Sequence, residues 1–405
     1  MGNKVIIIGA GPAGLSAAIT LAEKNIGVVV IDEYLYEGGR LLGQLYEETP
    51  NKWWNGIAES ERLLARAKEL NVEFSLQTSV SDLEKIDQDW VLHTNKGVFH
   101  TKQLLLATGA AESPFPIPGW TLPGVMSVGA AQVMTNVHRV KPGKRGVIIG
   151  VNVLSSAIAM ELQIADVQVA AITLPAANLL TINSSNPLEV MNSLLYVSHM
   201  APSPLIKIGS KFMKNEILKK LGIRFYPKDG VKMWGIPIML RKAVIEIVGK
   251  DQVEGVVLAT VNIDGSIVPG SEKRIDVDFV CIAGGLYPLA ELASLAGCPF
   301  HYIEQLGGFV PLHNEQMETN LTGLHVAGNI TGIEGAKVAL AQGKVAALTI
   351  ASKLGASVTQ IDIQQAIENV ETTRANAHIQ FHPEVLVGRQ KMKEIWAQTL
   401  SHTLS

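Results

Sequence analysis

Gly9, Gly11 and Gly14, with Pro12 and Ala13 among them, follow a run of four β-branched residues, Val5-Ile6-Ile7-Ile8. Each glycine has a mechanical use in a turn that must hold a phosphate. Gly9 lets the chain leave a strand sharply. Gly11, without a Cβ, lets the backbone approach a pyrophosphate, and Gly14 lets the next helix lie close on its sheet. That helix reads Leu15-Ser16-Ala17-Ala18-Ile19-Thr20-Leu21-Ala22, small and apolar. Its first turn offers free N–H groups and the positive dipole end to an anion. A second apolar run, Val28-Val29-Val30-Ile31, ends in Asp32-Glu33. Asp32 stands 18 residues after Gly14, where a carboxylate accepts hydrogen bonds from an adenosine ribose, with Glu33 as the alternative. Glycine spacing alone is common, but a strand before it, a helix after it and an acid at the next strand end make it a dinucleotide-binding fingerprint.

The elements that must position this turn follow from hydrophobic periodicity. Val72-Glu73-Phe74-Ser75-Leu76 and Trp90-Val91-Leu92-His93-Thr94 alternate and predict strands of a small β-meander. Gln103 to Leu106 predicts a buried strand that ends in the small-residue turn Ala107-Thr108-Gly109. Pro114, Pro116, Pro118 and Pro123 predict a stiff linker. A second α/β unit follows: the strand Gly146-Val147-Ile148-Ile149-Gly150, a helix near Ala157–Leu162 and the strand Val167–Ile172. The run Val277–Ala283 leads back to the first unit, and Leu324–Asn329 with Gly335–Lys353 forms a last strand, turn and helix. The expected fold class is α/β. It has two Rossmann-like three-layer domains with a β-meander, plus a helical C-terminal tail. The first domain takes residues 1–118 and 275–360, the second 119–274, and the tail 361–405.

Composition narrows the function. The chain has 405 residues, 47% of them hydrophobic, enough to bury two or three cores. A formal net charge of -3 gives no electrostatic case for nucleic acid. The only cysteines, Cys281 and Cys298, exclude a disulfide framework, a CxxC relay and an iron–sulfur cluster held by this sequence alone. They read as small apolar fillers and point to a reducing, cytoplasmic setting. The apolar start at Val5 is too short for a membrane span and reads as a strand, not a signal peptide. The histidines are scattered, and His199, His301 and His313 in loop-like sequence read as structural rather than as ligands. Trp53, Trp54 and Met126 could line a pocket for a ring, but aromatic and methionine residues are more often core.

The second unit repeats the first with changes. Its turn, Gly150-Val151-Asn152-Val153-Leu154-Ser155, keeps one glycine of three. Asn152 places a Cβ where a backbone should meet pyrophosphate, and Ser155 adds bulk at the helix–sheet contact. Two readings stand: a second nucleotide site, or a fold that has lost or changed its ligand. The substitutions favour the second. In the tail, Arg374, Arg389, Lys391 and Lys393 either solvate a helix or, with Ile395 and Trp396, dock a partner.

The first fingerprint, Asp32 with Gly38-Gly39, Ala107-Thr108-Gly109, and Thr319 with Gly328-Asn329 together resemble the two-dinucleotide-domain flavoproteins, similar to thioredoxin and glutathione reductases. The resemblance covers about residues 1 to 355. Ala107 to Met126 and Gly332-Ile333-Glu334-Gly335-Ala336 resemble a narrower group, the alpha subunits of heteromeric amine dehydrogenases and oxidases. Members act on proline, hydroxyproline, sarcosine, opines or glycine.

This resemblance implies FAD in the first domain. Gly9, Gly11, Pro12, Ala13 and Gly14 would cradle the pyrophosphate, and Asp32 or Glu33 would take the ribose. Gly39 and Arg40 would follow the phosphates and ribityl chain, and the Val80 backbone would meet the adenine. Ala107, Thr108 and Gly109 would pack on the adenosine side. Gly328 and Asn329 would reach the ribityl hydroxyls and phosphate, and Ala336 would open a helix towards the flavin. The family usually has aspartate where this chain has Asn329, an uncharged amide that can also donate. NAD(P) or ATP in the second domain is the weaker implication.

The implied function is an FAD-binding subunit of an amine or imino-acid dehydrogenase. Electrons would come from a partner, an FAD-containing subunit that oxidises the substrate. Any small [2Fe–2S] protein in use would be a separate chain, because the tail has no cysteine. The alternatives are a self-contained NAD(P)H-dependent flavin reductase and a flavoprotein-like scaffold whose second site holds a structural nucleotide or nothing. No catalytic acid, base or nucleophile and no metal site is identified.

Overall fold

Four β-branched residues in a row fit a strand buried on both faces, and Val5–Ile8 is the centre of a five-stranded parallel sheet. The computed structural model describes residues 4–49, 51–196, 215–377 and 380–403. The sheet order is Leu324–Val326, Leu104–Leu106, Val5–Ile8, Val28–Ile31, Glu73–Ser75, every pairing parallel. Alternate residues divide between two cores. Val5, Ile7, Val28, Val30 and Leu105 face one way, against the helices Pro12–Glu23 and Ala336–Lys353. Ile6, Ile8, Ile31, Leu104 and Leu106 face the other way, with Leu83, Trp90 and Leu92 of an antiparallel three-stranded meander. That meander is Val80–Ile86, Asp89–Thr94, Gly97–Thr101.

Glu73–Ser75, expected in the meander, is instead the edge strand of the parallel sheet, paired with Val29–Ile31. Three residues carry too little periodicity to say which sheet they join.

The chain divides into two compact units, Met1–Ala111 with Leu286–Ser405, and Glu112–Gly285. The segment 275–285 therefore lies with the second unit, not the first. The physical reason is that Phe279–Ile282 is a parallel partner of Arg145–Ile149 in the second unit's sheet. That sheet runs Val125–Ser127, Phe279–Ile282, Arg145–Ile149, Gln168–Pro175, Ile236–Val248, Gly255–Thr260, Lys273–Asp276. The proline-rich segment, expected as a stiff linker after a first domain reaching residue 118, is part of the second unit from Glu112 on. Phe115 and Ile117 are buried among Val147, Ile149 and Val244, and the Ile247 N–H bonds the Pro118 carbonyl at 2.8 Å. The tail residues Gln360–Ala375 and Val385–Thr403 are helical, as expected, and belong to the first unit.

One contact sets the spacing of the first unit's helices. Gly343 lies inside Ala336–Lys353, where glycine ordinarily costs about 1 kcal/mol against alanine. Here a Cβ would stand 2.1 Å from the Ala13 carbonyl oxygen, so only glycine lets the two helices approach this closely. Gly343→Ala should therefore destabilise the protein by about 1–3 kcal/mol, against its helix propensity. A urea midpoint that rises instead would show that the helices can part.

Candidate functional site

The fingerprint glycines occupy the conformations that their spacing requires. Gly9 has φ +109°, and a Cβ there would lie 2.3 Å from the Ala107 carbonyl oxygen. A Cβ on Gly14 would lie 1.9 Å from the Gly9 carbonyl oxygen, so the helix rests directly on the turn. Gly11 differs from both: a Cβ built on it meets nothing within 4 Å. Its lack of a side chain is not demanded by the fold, and it leaves space in front of the helix. Gly11 is the N-cap of Pro12–Glu23, no side chain caps that turn, and Pro12 at the first position has no N–H to satisfy. The turn thus keeps backbone donors for an anion and an open approach to them.

Other predicted residues converge here. Asp32 braces the turn through two short bonds, accepting from the Ala10 N–H at 2.6 Å and the Tyr34 N–H at 2.8 Å. Both oxygens keep lone pairs for a ribose. Gly39 has φ +54°, and a Cβ on it would lie 3.0 Å from the Gly11 Cα, which brings the second glycine turn against the first. A Cβ on Gly328 would lie 3.0 Å from the Ala13 Cβ, which brings in the third turn. The Thr78 N–H donates to the Asp32 carbonyl at 2.9 Å and sets Val80, two residues on, beside this strand end. Glu33 and Arg40 are exposed. The Thr108 hydroxyl donates to the Leu289 carbonyl at 2.5 Å, and Gly109 accepts from the Leu289 N–H at 3.0 Å.

Ala336 opens its helix behind Gly335, a second N-terminus without a side-chain cap. The Asn329 Oδ1 accepts the Glu334 N–H at 3.1 Å, so this amide shapes its own loop and keeps its NH2 as a donor. The sequence reading missed Gln342. This buried residue accepts the Gly328 N–H at 3.0 Å and reaches Glu334 at 3.4 Å. A lone glutamine in an apolar helix next to Gly343 was the available signal.

The second unit repeats the backbone of the turn and closes it. Gly150 has φ +111°, a Cβ there would lie 2.2 Å from the Ala283 carbonyl oxygen, and its N–H reaches the Thr173 carbonyl as that of Gly9 reaches Ile31. Beyond that the two diverge. The Asn152 Oδ1 accepts the Ser155 N–H at 2.8 Å, the Ser155 hydroxyl takes the Asn152 N–H at 2.9 Å, and the Asn152 Nδ2 donates to Ala283 at 2.9 Å. This capping box gives the Ser155 N–H of the helix Val153–Ile164, and the N-cap's own N–H, side-chain partners where a phosphate could otherwise bind. The register adds a second change. Ile149 pairs with Thr173 as Ile8 pairs with Ile31, so Leu174 and Pro175 stand where Asp32 and Glu33 stand in the first unit. No acid for a ribose and no arginine for a 2′-phosphate follows that strand through Ser185.

The remaining candidates resolve individually. Cys281 and Cys298 are buried free thiols. Burial, with Glu112 nearby, pushes Cys281 up, and burial pushes Cys298 up to about 12, so both stay protonated. Trp53 is exposed, whereas Trp54 stacks on Tyr46 at 6.3 Å and lies 4.9 Å beneath the Lys337 amine. Met126 belongs to the second unit. Arg374 and Arg389 are not surface cations that solvate a helix or dock a partner; both are buried and paired with Glu334. His199 lies outside the described residues. Among the described residues, no group of three or more histidine, cysteine or acidic side chains could hold a metal ion, and no helix is long and apolar enough to cross a membrane.

The site's glycine cradle, open helix terminus and strand-end acid fit the pyrophosphate and ribose of a dinucleotide. Residues 3–343 match the family described as pyridine nucleotide-disulphide oxidoreductase. The chain belongs to that family. It is an FAD-dependent oxidoreductase. It is 28% identical over 369 residues to an opine oxidase subunit of Rhizobium meliloti, covering 88% of this chain and 72% of that one. It is 25% identical over 375 residues to a hydrogen cyanide synthase subunit of Pseudomonas protegens, covering 89% of this chain and 72% of that one. Among solved structures, L-proline dehydrogenase from P. horikoshii is similar in fold, with a TM-score of 0.63 and 18% identity, over 91% of this chain and 58% of that chain. Thioredoxin reductase from T. acidophilum is similar too, with a TM-score of 0.61 and 20% identity, over 87% and 99% of the two chains.

This geometry makes Gly11 and Gly9 separable by mutation. Gly11→Val should keep the parent melting behaviour yet weaken FAD binding by roughly tenfold or more, about 1.4 kcal/mol, whereas Gly9→Val should unfold the first unit. Equal losses of fold in both variants would refute an open space before Gly11. Acid gives a further prediction. Burial, then the charge of Arg389, lowers His313 to about 3, and burial lowers His325 to about 4, both from 6.5. Unfolded imidazoles take up protons below 6.5 that the folded ones refuse, so stability is full above that pH and falls as pH drops towards 4. The slope approaches about 1.4 kcal/mol per pH unit for each histidine. His313→Gln with His325→Asn should flatten the melting temperature between pH 6.5 and 4.5; an unchanged slope would place the proton uptake elsewhere.

Proposed function

We propose that this chain is the FAD-binding subunit of a heteromeric dehydrogenase or oxidase for a small amino or imino acid, and that its electrons arrive from a partner flavoprotein chain. The observation that carries this reading is the contrast between the two turns. The first leaves its helix terminus without a side-chain cap, while the second gives the Ser155 and Asn152 N–H groups to side chains and has Leu174 at the strand end. A nicotinamide donor has poor purchase on such a second site. The cysteines give no alternative entry, because both thiols are buried and protonated.

FAD, when bound, supplies acceptance of an electron pair and its release singly or together. The chain's own residues would position it. The Gly9–Gly14 turn and the helix Pro12–Glu23 would hold the pyrophosphate, Asp32 and Val80 the adenosine, Gly39 and Arg40 the middle of the molecule, and Asn329 with the Ala336 terminus the flavin end. The names of the opine oxidase and hydrogen cyanide synthase relatives describe subunits, which supports a chain that works beside others. On this reading the substrate's acid and base lie on the partner. An iron–sulfur carrier, where one takes part, is a further small chain.

The purified chain, reconstituted with FAD without oxygen, should keep its yellow band when NADH or NADPH is added. It should bleach only with the partner and an amino acid present. Rapid bleaching by NADH or NADPH alone would overturn the reading in favour of a self-contained reductase. A chain that stays colourless with added FAD would leave only a scaffold role.

A further inference from the structure

The loop from Gly328 to Gly335 joins the last strand of the first sheet to the helix Ala336–Lys353, and its Glu334 is buried, 7% exposed. Two arginines from the C-terminal helices close on that carboxylate. Arg374, on Gln360–Ala375, bonds Oε1 through Nε and Oε2 through Nη2, the latter at 3.2 Å. Arg389, on Val385–Thr403, bonds Oε2 through Nη2. Its Nη1 donates to the Thr331 carbonyl at 2.7 Å and lies 3.4 Å from the His313 Nε2. From below, Gln342 holds Gly328 and Glu334 together, and the Asn329 Oδ1 takes the Glu334 N–H. Gly332, at φ +136°, passes so close under Arg389 that a Cβ would lie 3.2 Å from Nη2. The Gly328 N–H, the Thr331 carbonyl and the Glu334 carboxylate are thus tied to the tail or to the long helix, while other loop bonds close within the loop or on Leu306.

Charges buried this way are not an efficient source of stability, since an apolar replacement of similar volume often serves as well. They do fix a geometry, because bidentate guanidinium–carboxylate pairs tolerate little displacement. Here the fixed geometry is that of a loop carrying Gly328 and Asn329 at one end and opening the Ala336 helix at the other.

We propose that Arg374 and Arg389 are positioning residues for flavin binding. By holding Glu334 they set the Gly328–Gly335 loop in its binding conformation, so docking of the two C-terminal helices and occupancy of the flavin site favour each other. This rests on the reading above, in which Gly328, Asn329 and Ala336 meet FAD. The coupling is reciprocal: what the helices give to FAD affinity, FAD gives back to helix docking.

The test uses the full chain, its R389M variant and the charge-keeping R389K. FAD binding is titrated by flavin fluorescence, and amide exchange is followed along the chain with and without FAD. In the parent, FAD should slow exchange at Gly9–Gly14, at Gly328–Ala336 and at Val385–Thr403. R389M should bind FAD roughly tenfold or more weakly, and FAD should no longer slow exchange at Val385–Thr403. R389K should fall between, and it decides by the same two readouts where R389M does not fold. A variant that folds and binds FAD as tightly as the parent overturns the proposal. Slowed exchange at Gly9–Gly14 but not at Gly328–Ala336 in the parent overturns the assignment of the loop to FAD, a separate failure, and the proposal with it.

Discussion

The first turn of the helix Pro12–Glu23 presents backbone donors that no side chain among the described residues takes up, and the rest of the first unit depends on keeping them so. A helix terminus normally finds a serine, threonine, asparagine or aspartate to satisfy it. Here the N-cap is Gly11, with open space where a side chain would be. The neighbours hold that turn in shape without covering it. Asp32 pins Ala10 from one side, the Ala107 carbonyl limits Gly9, and Gly343 lets the long helix press on Ala13.

The second unit shows how little separates a binding turn from a closed one. Gly150 reproduces Gly9 in backbone conformation, in its carbonyl partner across the sheet and in its tight contact with a neighbouring strand end. Two side chains, Asn152 and Ser155, then convert an anion site into a self-contained cap. By size alone they are obstructions. The structure gives a more specific account: they compete for the same hydrogen bonds as a phosphate, and they are intramolecular and always in place.

The turn of the candidate site was legible because its glycines obey local rules. The turn, the helix after it and the strand-end acid lie within 33 residues, and each demand acts on the backbone nearby. What was not legible depends on distant pairing. Nothing in Val277–Ala283 says which sheet it joins, since a fully buried apolar strand reads alike in either. Glu73–Ser75 is too short to reveal its partner. Arg374 and Arg389 look like the polar side of a surface helix until Glu334, 40 and 55 positions earlier, is seen between them. The missing acid at Leu174 was readable in principle, by laying the second strand pair over the first, since only the register was needed.

The first unit is assembled from both ends of the chain, with Glu112–Gly285 placed between its halves. This has a temporal meaning. A ribosome releases Gly9–Gly14 early, yet Gly328, Glu334 and Arg389 emerge only after the whole second unit has passed. At ordinary elongation rates the wait is on the order of tens of seconds. During it the central strand Val5–Ile8 and its neighbour Leu104–Leu106 have no Leu324–Val326 beside them. Their apolar edge is then a hazard that the nascent chain must survive, and on the proposed reading of the Gly328–Gly335 loop cofactor capture becomes an event of completed synthesis rather than of early folding.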